Sequence, residues 1–341
     1  MTAVSVRKAS GPGVLGKVAV LANGVLTALL SARLSILIFH RVHAEPDSIF
    51  PGEPDAHRFK ALMALLGKSF NFCSLDDAVR GLRDGTLRKG SLAVTFDDGY
   101  VDNLDVACPI LLALGIPATF FVASGFMRGG RMWNDRIVEA VRHCDADVTE
   151  IERALASTPG AGTAVQGART KRDLCLRVLA GIKYLPETER NQAVGHVERC
   201  LGMTQTDALM MNEDQVRKLR SHGMTIGAHT VNHPILRTLD EASARTEIEQ
   251  GKADLERVLG EEISLFAYPN GKPGADYCAR DVRLVTEAGF TSAVTTEWGV
   301  SSVGDDLLQL PRFTPWDRDM WRFSLRLSGN LLRRNYARAT A

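Results

Sequence analysis

Short apolar runs alternate along the chain with longer stretches in which apolar residues recur every three or four positions. Such runs are typical of buried strands, and such stretches are typical of amphipathic helices. The predicted strands are 34–39, 70–72, 92–96, 118–122, 224–228, 263–268 and 291–294. Because strands alternate with helices, the pattern indicates a parallel α/β architecture.

The strand pattern stops between residues 128 and 211, where helical segments flank a stretch rich in Gly, Ala and Thr. An interruption of this kind predicts a helical insertion in a barrel, which would serve as a lid or shape the substrate site. The predicted segments are an N-terminal apolar or amphipathic helix at 1–33, the first part of the barrel at 34–127, the insertion at 128–211, the second part of the barrel at 212–315 and a C-terminal basic helix at 316–341.

Composition and charge describe an ordinary globular protein. The chain has 341 residues, 45% of them hydrophobic and 24% charged, and its formal net charge is +1. This balance gives no electrostatic argument for a nucleic-acid partner. The six cysteines are scattered without a CxxC pair, so they predict neither a disulfide framework nor a zinc cluster and suit a reducing compartment.

The apolar run at 18–30 follows Arg7, Lys8 and Lys17 and superficially resembles a signal peptide. No small-residue cleavage site follows it, and it is shorter than the roughly 20 residues that span a bilayer. We interpret it as an amphipathic helix that packs on the domain or rests on the inner membrane face. The expected location is therefore the cytoplasm or that membrane face, with export as the alternative. The basic tail at 316–341 could also contact an anionic membrane, although a solvated helix is favoured.

Two carboxylates end the third predicted strand. Asp97 and Asp98 follow the run at 92–96 and precede Gly99. Adjacent acidic residues would be costly inside a buried strand, but the carboxyl end of a strand is where α/β folds place their sites. Gly99 permits a sharp turn that brings both carboxylates to one cavity. We expect a cation, and in particular a metal ion, to face this pair.

Two histidines follow a later strand. His229 and His233 come directly after 224–228, and their spacing places both imidazoles on one face of a helical turn. Isolated pairs of this kind are more often surface histidines, but this pair follows a buried strand, so it should open on the same barrel rim as the carboxylates. One carboxylate and two imidazoles leave positions on a divalent ion for water and substrate, and the second carboxylate can take a proton. The pattern predicts a hydrolytic metal site.

A third turn follows the strand at 263–268 and contains Pro269 and Asn270. Taken alone, this sequence is ordinary turn chemistry. At a barrel rim, however, its backbone N–H groups could donate to a developing oxyanion. The residues themselves favour neither interpretation.

Together these motifs resemble the polysaccharide deacetylase family, which is also described as the NodB homology domain or carbohydrate esterase family 4. The resemblance rests on the TFDDGY segment at 95–100 and the HTxxHP segment at 229–234. It covers residues of about 35–125 and 212–315. It implies a distorted (β/α)7 barrel of the NodB type, here with a helical insertion, and metal-dependent removal of N- or O-acetyl groups from glycans.

The resemblance also implies a role for each motif residue. Asp97 becomes the general base. Asp98, His229 and His233 become the ligands of a divalent metal ion, most often Zn2+ and sometimes Co2+ or Ni2+. Since an Asp and two His suit several first-row ions, the identity of the metal stays open.

The segment Tyr268, Pro269 and Asn270 matches the family motif in which a backbone N–H polarises the acetyl carbonyl. The usual Arg of that motif is replaced by Ala267, so the tether of the base must come from elsewhere. Arg312 is our candidate for it.

The family's usual general acid is a His in a C-terminal Leu-x-His motif, yet no His follows His233. His40 closes the first strand, which would direct it at the same rim. This arrangement resembles the branch of the poly-N-acetylglucosamine deacetylases, in which the acid His lies on the amino-terminal strand. The resemblance therefore makes His40 the general acid, and the alternative is a structural His at a strand end.

The sequence thus predicts a metal-dependent hydrolase that removes N-acetyl groups from an N-acetylated amino sugar in a glycan or glycan precursor. A biosynthetic intermediate is favoured as substrate because no clear export signal is present. One alternative is a hydrolase of another non-peptide C–N bond on the same barrel. The other is a catalytically inactive glycan-binding protein. The oligomeric state is left open.

Overall fold

The structure is a computed structural model that describes residues 14–203, 208–315, 317 and 319–340, with the backbone alone for residues 14–17 and 19. The chain forms two compact units. The barrel unit comprises the described residues of Met1–Glu45, Gly52–Gly125 and Glu213–Ala341. The helical unit comprises the described residues of Pro46–Pro51 and Phe126–Asn212. The segment boundaries predicted from the sequence stay a prediction.

The barrel unit is built on one parallel sheet. Its strands are β1 Leu34–Phe39, β2 Asn71–Phe72, β3 Ser91–Phe96, β4 Ala118–Val122, β5 Thr225–Ala228, β6 Leu265–Ala267 and β7 Ser292–Val294. Their order is β1-β3-β4-β5-β6-β7, and β2 pairs with the first two residues of β3. Every residue of β1 and β3 is buried, as expected for strands covered on both faces. The predicted NodB-type (β/α) barrel is confirmed, with the sheet curled into a half-barrel.

A short irregular segment spans the gap between the two edge strands. Leu310 bridges to Val294 of β7, and Phe313 bridges to Leu37 of β1. Backbone hydrogen bonds join this segment to both strands. The sequence analysis did not predict it, because Pro311 interrupts the segment and no strand periodicity marks it. The segment matters to the site because it carries Arg312.

The helices surround the sheet or form the helical unit. They are α1 Val14–Leu29, α2 Ala56–Leu66, α3 Leu75–Asp84, α4 Cys108–Leu114, α5 Trp133–His143, α6 Val148–Leu155, α7 Lys171–Ile182, α8 Glu187–Cys200, α9 Glu213–Ser221, α10 Glu241–Leu259, α11 Ala279–Glu287 and α12 Met320–Leu331. Helices α3 and α10 each begin at a side-chain cap. The backbone N–H of Asp77 donates to Ser74 Oγ at the start of α3, and that of Ser243 donates to Asp240 Oδ1 at the start of α10.

The helical unit has a hydrophobic core of its own. The buried residues of α5 to α8 in this core include Ile137, Val141, Ile151, Leu155, Leu174, Val178 and Val197. Ile49, from the loop before α2, is buried in the same core. Sequence patterns did not reveal that 46–51 belong to this unit, since the contacts join residues about 90 positions apart in the chain.

Helices α1 and α12 lie against each other in the barrel unit. Ser328 Oγ donates to Asn23 Oδ1 at 2.7 Å, and Asn23 Nδ2 donates to the Ser324 carbonyl at 3.4 Å. Helix α12 buries Phe323 and Leu327, so it is packed rather than fully solvated. None of the helices in the described part of the chain is long and apolar enough to cross a bilayer.

Candidate metal centre and catalytic site

The two carboxylates lie at the carboxyl end of β3, at the rim of the barrel. Asp97 continues the strand, and its N–H donates to the Phe39 carbonyl of β1. Asp98 turns away with a φ of 75°, a left-handed conformation that residues other than Gly rarely adopt. Gly99 follows with a φ of 89°, and a Cβ there would lie 3.1 Å from the Val122 side chain. This turn separates the directions of the two adjacent carboxylates.

The histidine pair lies on the turn that follows β5. The backbone N–H of His229 donates to the Val122 carbonyl of β4 at 3.1 Å. The His229 Nδ1 lies 2.7 Å from the Ala267 carbonyl of β6. Because a carbonyl only accepts, Nδ1 carries the proton, and Nε2 keeps its lone pair for another partner.

Asp98, His229 and His233, which we call the metal triad, bring three ligand atoms together. The Nε2 atoms of His229 and His233 each lie 3.4 Å from Asp98 Oδ1, and all three atoms are within 4.8 Å of one another. Two ligand atoms of a tetrahedral zinc site lie about 3.3 Å apart, since each is about 2 Å from the ion. The two 3.4 Å separations between Asp98 and the imidazoles are close to this distance.

One oxygen of the triad supports a cation directly. Asp98 Oδ1 is buried and has no hydrogen-bond partner among the described residues. A buried carboxylate oxygen is rarely left in this state, because its desolvation is not compensated. A divalent ion bound by Asp98 and the two imidazoles would compensate it, so the residues present fit such a group.

The charges of Asp98 and His233 agree with this assignment. Burial would raise the pKa of Asp98, but the neighbouring His233 and His229 hold it well below its ordinary value. Burial lowers the pKa of His233 to about 4. At neutral pH the His233 imidazole is therefore neutral, which is the state in which its nitrogen can bind a metal.

Asp97 is held by a different partner. Arg312 Nη1 and Nη2 donate to the two carboxylate oxygens of Asp97, each at 2.7 Å. Arg312 is itself fully buried, and its Nε donates to the Thr295 carbonyl at 2.8 Å. Burial would raise the pKa of Asp97, but the Arg312 guanidinium outweighs it and holds the pKa below its usual value. The result is an ionised carboxylate fixed beside the metal triad.

His40 lies at the carboxyl end of β1, and its side chain is exposed. It follows Phe39, which is in register with Phe96 of β3, so His40 and Asp97 leave neighbouring strands at the same edge of the sheet. The backbone around it is fixed, because Asn103 Nδ2 donates to the His40 carbonyl at 2.9 Å. Arg41 Nε also donates to Asp102 Oδ2 at 2.8 Å. The exposed imidazole therefore follows a fixed backbone at the rim.

The third predicted turn follows β6 at the same rim. The Tyr268 ring is buried away from solvent, stacks on Tyr277 at 4.0 Å and donates its hydroxyl to the Leu308 carbonyl. Pro269 is also buried, and Asn270 adopts a φ of 57°. The Tyr268 ring therefore does not reach the surface of the rim, whereas Asn270 is half-buried.

Sequence reasoning missed the residues that hold the histidine turn. Glu247 of α10 accepts hydrogen bonds from the backbone N–H groups of Val231 and Asn232, at 3.0 and 2.8 Å. Gly251, one turn later, allows close approach, since a Cβ there would lie 2.8 Å from the Thr230 carbonyl carbon. A Glu in the middle of a polar helix carries no sequence signal for this role.

A family model described as polysaccharide deacetylase matches residues 84–152 and 194–293. The chain carries a domain of the polysaccharide deacetylase family. YxkH of Bacillus subtilis (strain 168), a curated relative named for the same family, is 24% identical over 102 residues. That match covers 30% of this chain and 35% of the relative, so the chain spans about a third of the length of the curated relative.

Solved structures share the fold of this deacetylase domain. The deacetylase PplD of Streptococcus pyogenes, solved with acetate, is 19% identical with a TM-score of 0.57, and the match covers 87% of this chain and 98% of PplD. IcaB from Ammonifex degensii is 18% identical with a TM-score of 0.55, over 87% of this chain and 97% of IcaB. At these identities the likeness shows the fold alone.

Proposed function

We propose that the protein is a metal-dependent deacetylase that hydrolyses the N-acetyl group of an amino sugar in a glycan or glycan precursor. The observation that carries the proposal is the unpartnered, buried Asp98 Oδ1, which faces two imidazole nitrogens. Beside it stands a second buried carboxylate with a different partner. A ligand set next to an ionised base is what metal-assisted hydrolysis requires.

The metal triad would hold a divalent ion, most readily Zn2+, with Co2+ or Ni2+ also suited to the same ligands. When bound, such an ion supplies a Lewis acid at the rim. The Ala267 carbonyl keeps the His229 Nε2 directed at this position by accepting a hydrogen bond from Nδ1–H. Glu247 stabilises the turn between His229 and His233 by accepting hydrogen bonds from its backbone N–H groups.

Asp97 acts as the general base in the proposed reaction. Its carboxylate takes a proton from the attacking water, which then adds to the acetyl carbonyl carbon. Arg312 fixes the orientation of the carboxylate through both oxygens, and each oxygen retains a lone pair for the proton. The backbone of the turn at 268–270 would donate to the oxygen that develops negative charge.

His40 supplies the second proton. As the C–N bond breaks, the sugar nitrogen must be protonated to leave as an amine, and acetate is the other product. The exposed imidazole at the end of β1 lies at the same edge of the sheet as the rim carboxylates, where it would meet an entering sugar. This role is consistent with the absence of any His after His233 in the sequence.

The experiment that tests the function is acetate release from N-acetylglucosamine oligomers, measured together with the metal content of the purified protein. Chelation should abolish acetate release, and addition of zinc, cobalt or nickel should restore it. Bound metal without acetate release would redirect the proposal to another C–N bond. If the protein neither bound metal nor released acetate after metal addition, the proposed deacetylase function would be contradicted and an inactive glycan-binding protein would be favoured.

The acid role is tested with a matched pair of histidine variants. His40→Ala should lower turnover by at least about 10² because no group then protonates the leaving amine. His222→Ala removes another exposed His, which precedes β5 at the opposite end of the strands, and should leave turnover unchanged. Near-wild-type turnover of His40→Ala would remove this residue from the mechanism.

A further inference from the structure

Exposed apolar side chains are concentrated on the two terminal helices. Ten large apolar side chains are exposed among the described residues; five of them lie on α1 and α12, and a sixth is the residue that directly follows α12. These six are Val18, Leu21, Val25, Leu29, Leu325 and Leu332. Single exposed apolar residues are ordinary, but a cluster of them marks an interaction site.

The exposed residues of α1 form a stripe. Val18, Leu21, Val25 and Leu29 recur every three or four positions, which places them on one face of the helix. Leu21 is 68% exposed and Leu29 is 77% exposed, so the stripe is turned outward rather than half-covered. We call the six exposed apolar residues the terminal-helix surface.

The opposite face of α1 is fixed to the barrel by polar contacts. Thr27 Oγ1 donates to the Ser69 carbonyl at 3.2 Å, and Ser69 Oγ donates to the Val20 carbonyl at 2.9 Å. Lys89 Nζ donates to the Ala28 carbonyl at 3.0 Å near the end of the helix. The helix is therefore anchored through its polar face, and this anchoring directs the apolar stripe to solvent.

Helix α12, which packs against α1, also has exposed apolar side chains. Its residues Ser324 and Ser328 contact Asn23 of α1, whereas Leu325 and Leu332 remain exposed. Arg322 is also exposed, and it lies three positions before Leu325, which places both side chains on one face of α12. This face of α12 is therefore both apolar and basic.

The two terminal segments each carry an excess of positive charge. Residues 1–44 contain five basic residues and no acidic residue, and residues 318–340 contain six Arg and one Asp. The whole chain has a net charge of only +1, so this excess is local. Asp319 lies 3.5 Å from Arg322, and acidic side chains also pair with Arg326, Arg333 and Arg338, so part of this excess is offset. Arg334 is exposed shortly after α12.

We propose that the terminal-helix surface docks on the surface of an anionic phospholipid bilayer. An apolar stripe next to basic residues is the pattern of helices that lie in the membrane interface. Lys and Arg near such a surface are attracted by anionic headgroups, and this attraction is complementary to the local excess of positive charge. The inference is independent of the proposed catalytic function, since none of its residues belongs to the rim.

The test is flotation of the full chain with vesicles of phosphatidylcholine alone and of phosphatidylcholine with phosphatidylglycerol. The protein should float with the anionic vesicles and much less with the neutral ones, and added salt should weaken binding. The double variant Leu21→Ser and Leu29→Ser should bind at least about tenfold less, because the apolar contribution to interfacial binding is removed.

A matched control separates docking from a general effect of losing exposed leucines. Leu112 and Leu176 are 44% and 41% exposed on other helices, and their double replacement by Ser should leave vesicle binding unchanged. Both double variants should keep the wild-type circular dichroism and thermal midpoint, since the replaced side chains are largely exposed. Acetate release from soluble oligomers should also be unchanged.

Three results would overturn the proposal. The first is failure of the wild-type chain to float with anionic vesicles. The second is equal binding of the wild type and the Leu21→Ser, Leu29→Ser variant. The third is a dimer in light scattering that this variant converts to a monomer without any vesicle binding, because the surface would then be an interface between two copies of the chain.

Discussion

A pair of buried carboxylates at the rim of the barrel can be compared with a pair in the helical unit, and the two pairs differ in their partners. Asp47 and Glu139 of the helical unit have side chains that are 4% and 8% exposed, and Arg142 donates to both. Asp97 and Asp98 at the rim are buried to a similar degree, with 3% and 6% of their side chains exposed.

The difference lies in how the acceptor atoms are used. Asp47 Oδ1 also accepts from the backbone N–H groups of Ile49 and Phe50, so this carboxylate holds a loop in place. Asp98 Oδ1 instead has no hydrogen bond within the described residues and faces two imidazole nitrogens. Burial of acidic groups is thus a weak guide to function, whereas an uncompensated oxygen among neutral ligands points to a cation.

The largest effect should come from replacing the two rim carboxylates one at a time. Asp97→Asn and Asp98→Ala should each lower acetate release by at least about 10². Only Asp98→Ala should also lose the bound metal, because Arg312 holds both oxygens of Asp97 and this carboxylate is not part of the metal triad. Inductively coupled plasma mass spectrometry of the purified variants measures this difference.

If Asp97→Asn lost its metal as readily as Asp98→Ala, the separation of base from ligand would be wrong. If Asp98→Ala retained stoichiometric metal, the assignment of Asp98 as a metal ligand would be wrong. Thermal midpoints of both variants serve as the control for folding, since each replacement changes a buried group.

A smaller effect, on metal affinity, is expected when Glu247, which supports the turn between the two histidines, is replaced. Glu247→Gln keeps the size of the side chain but replaces the charged acceptor of the Val231 and Asn232 N–H groups with a neutral one. We expect metal affinity to fall by about tenfold, as for other residues that orient metal ligands. Competition with a chromophoric chelator measures the affinity.

A matched control for this change is Glu249→Gln, two residues further along α10, where the side chain is exposed and pairs with Arg245. It should leave the affinity unchanged. Equal effects of the two substitutions would show that helix charge, rather than the hydrogen bonds to the turn, controls the metal site.

The smallest effect on the site should come from the helical unit. Arg142→Gln leaves Asp47 and Glu139 without their shared cation, and the free energy of unfolding should fall by about 2–4 kcal/mol. Metal stoichiometry below the thermal midpoint should stay at the wild-type value. Loss of metal from a folded Arg142→Gln protein would show that the two pairs of carboxylates do not act independently.

The sequence predicted the parallel barrel and the chemistry-bearing turns because both depend on local signals. Apolar runs mark the strands, and polar residues directly after Phe96 and Ala228 must meet at one rim in a parallel sheet. Arg312 was found by a different route, from the missing Arg at Ala267 in the family motif. It reaches Asp97 across 215 residues of chain, a distance over which periodicity gives no information.

Other features could not be predicted for the same reason. The segment that spans β7 and β1 is recognisable only by its hydrogen bonds to two strands far away in sequence. The contact of Glu247 with the turn at 230–233 joins a helix to a loop about 15 residues earlier. Neither contact leaves an alternating or helical pattern, so both require the folded backbone.

The left-handed turns of the rim have an energetic consequence. Four residues other than Gly have positive φ values in the described chain, and they are Asp98, Thr230, His233 and Asn270. Each such residue costs about 1–3 kcal/mol, a cost that Gly would avoid. A barrel selected only for stability would therefore place glycines at these positions. The chain instead keeps an acid and an imidazole in strained backbone, and every strained residue of this kind in the described chain lies in the turns that form the rim.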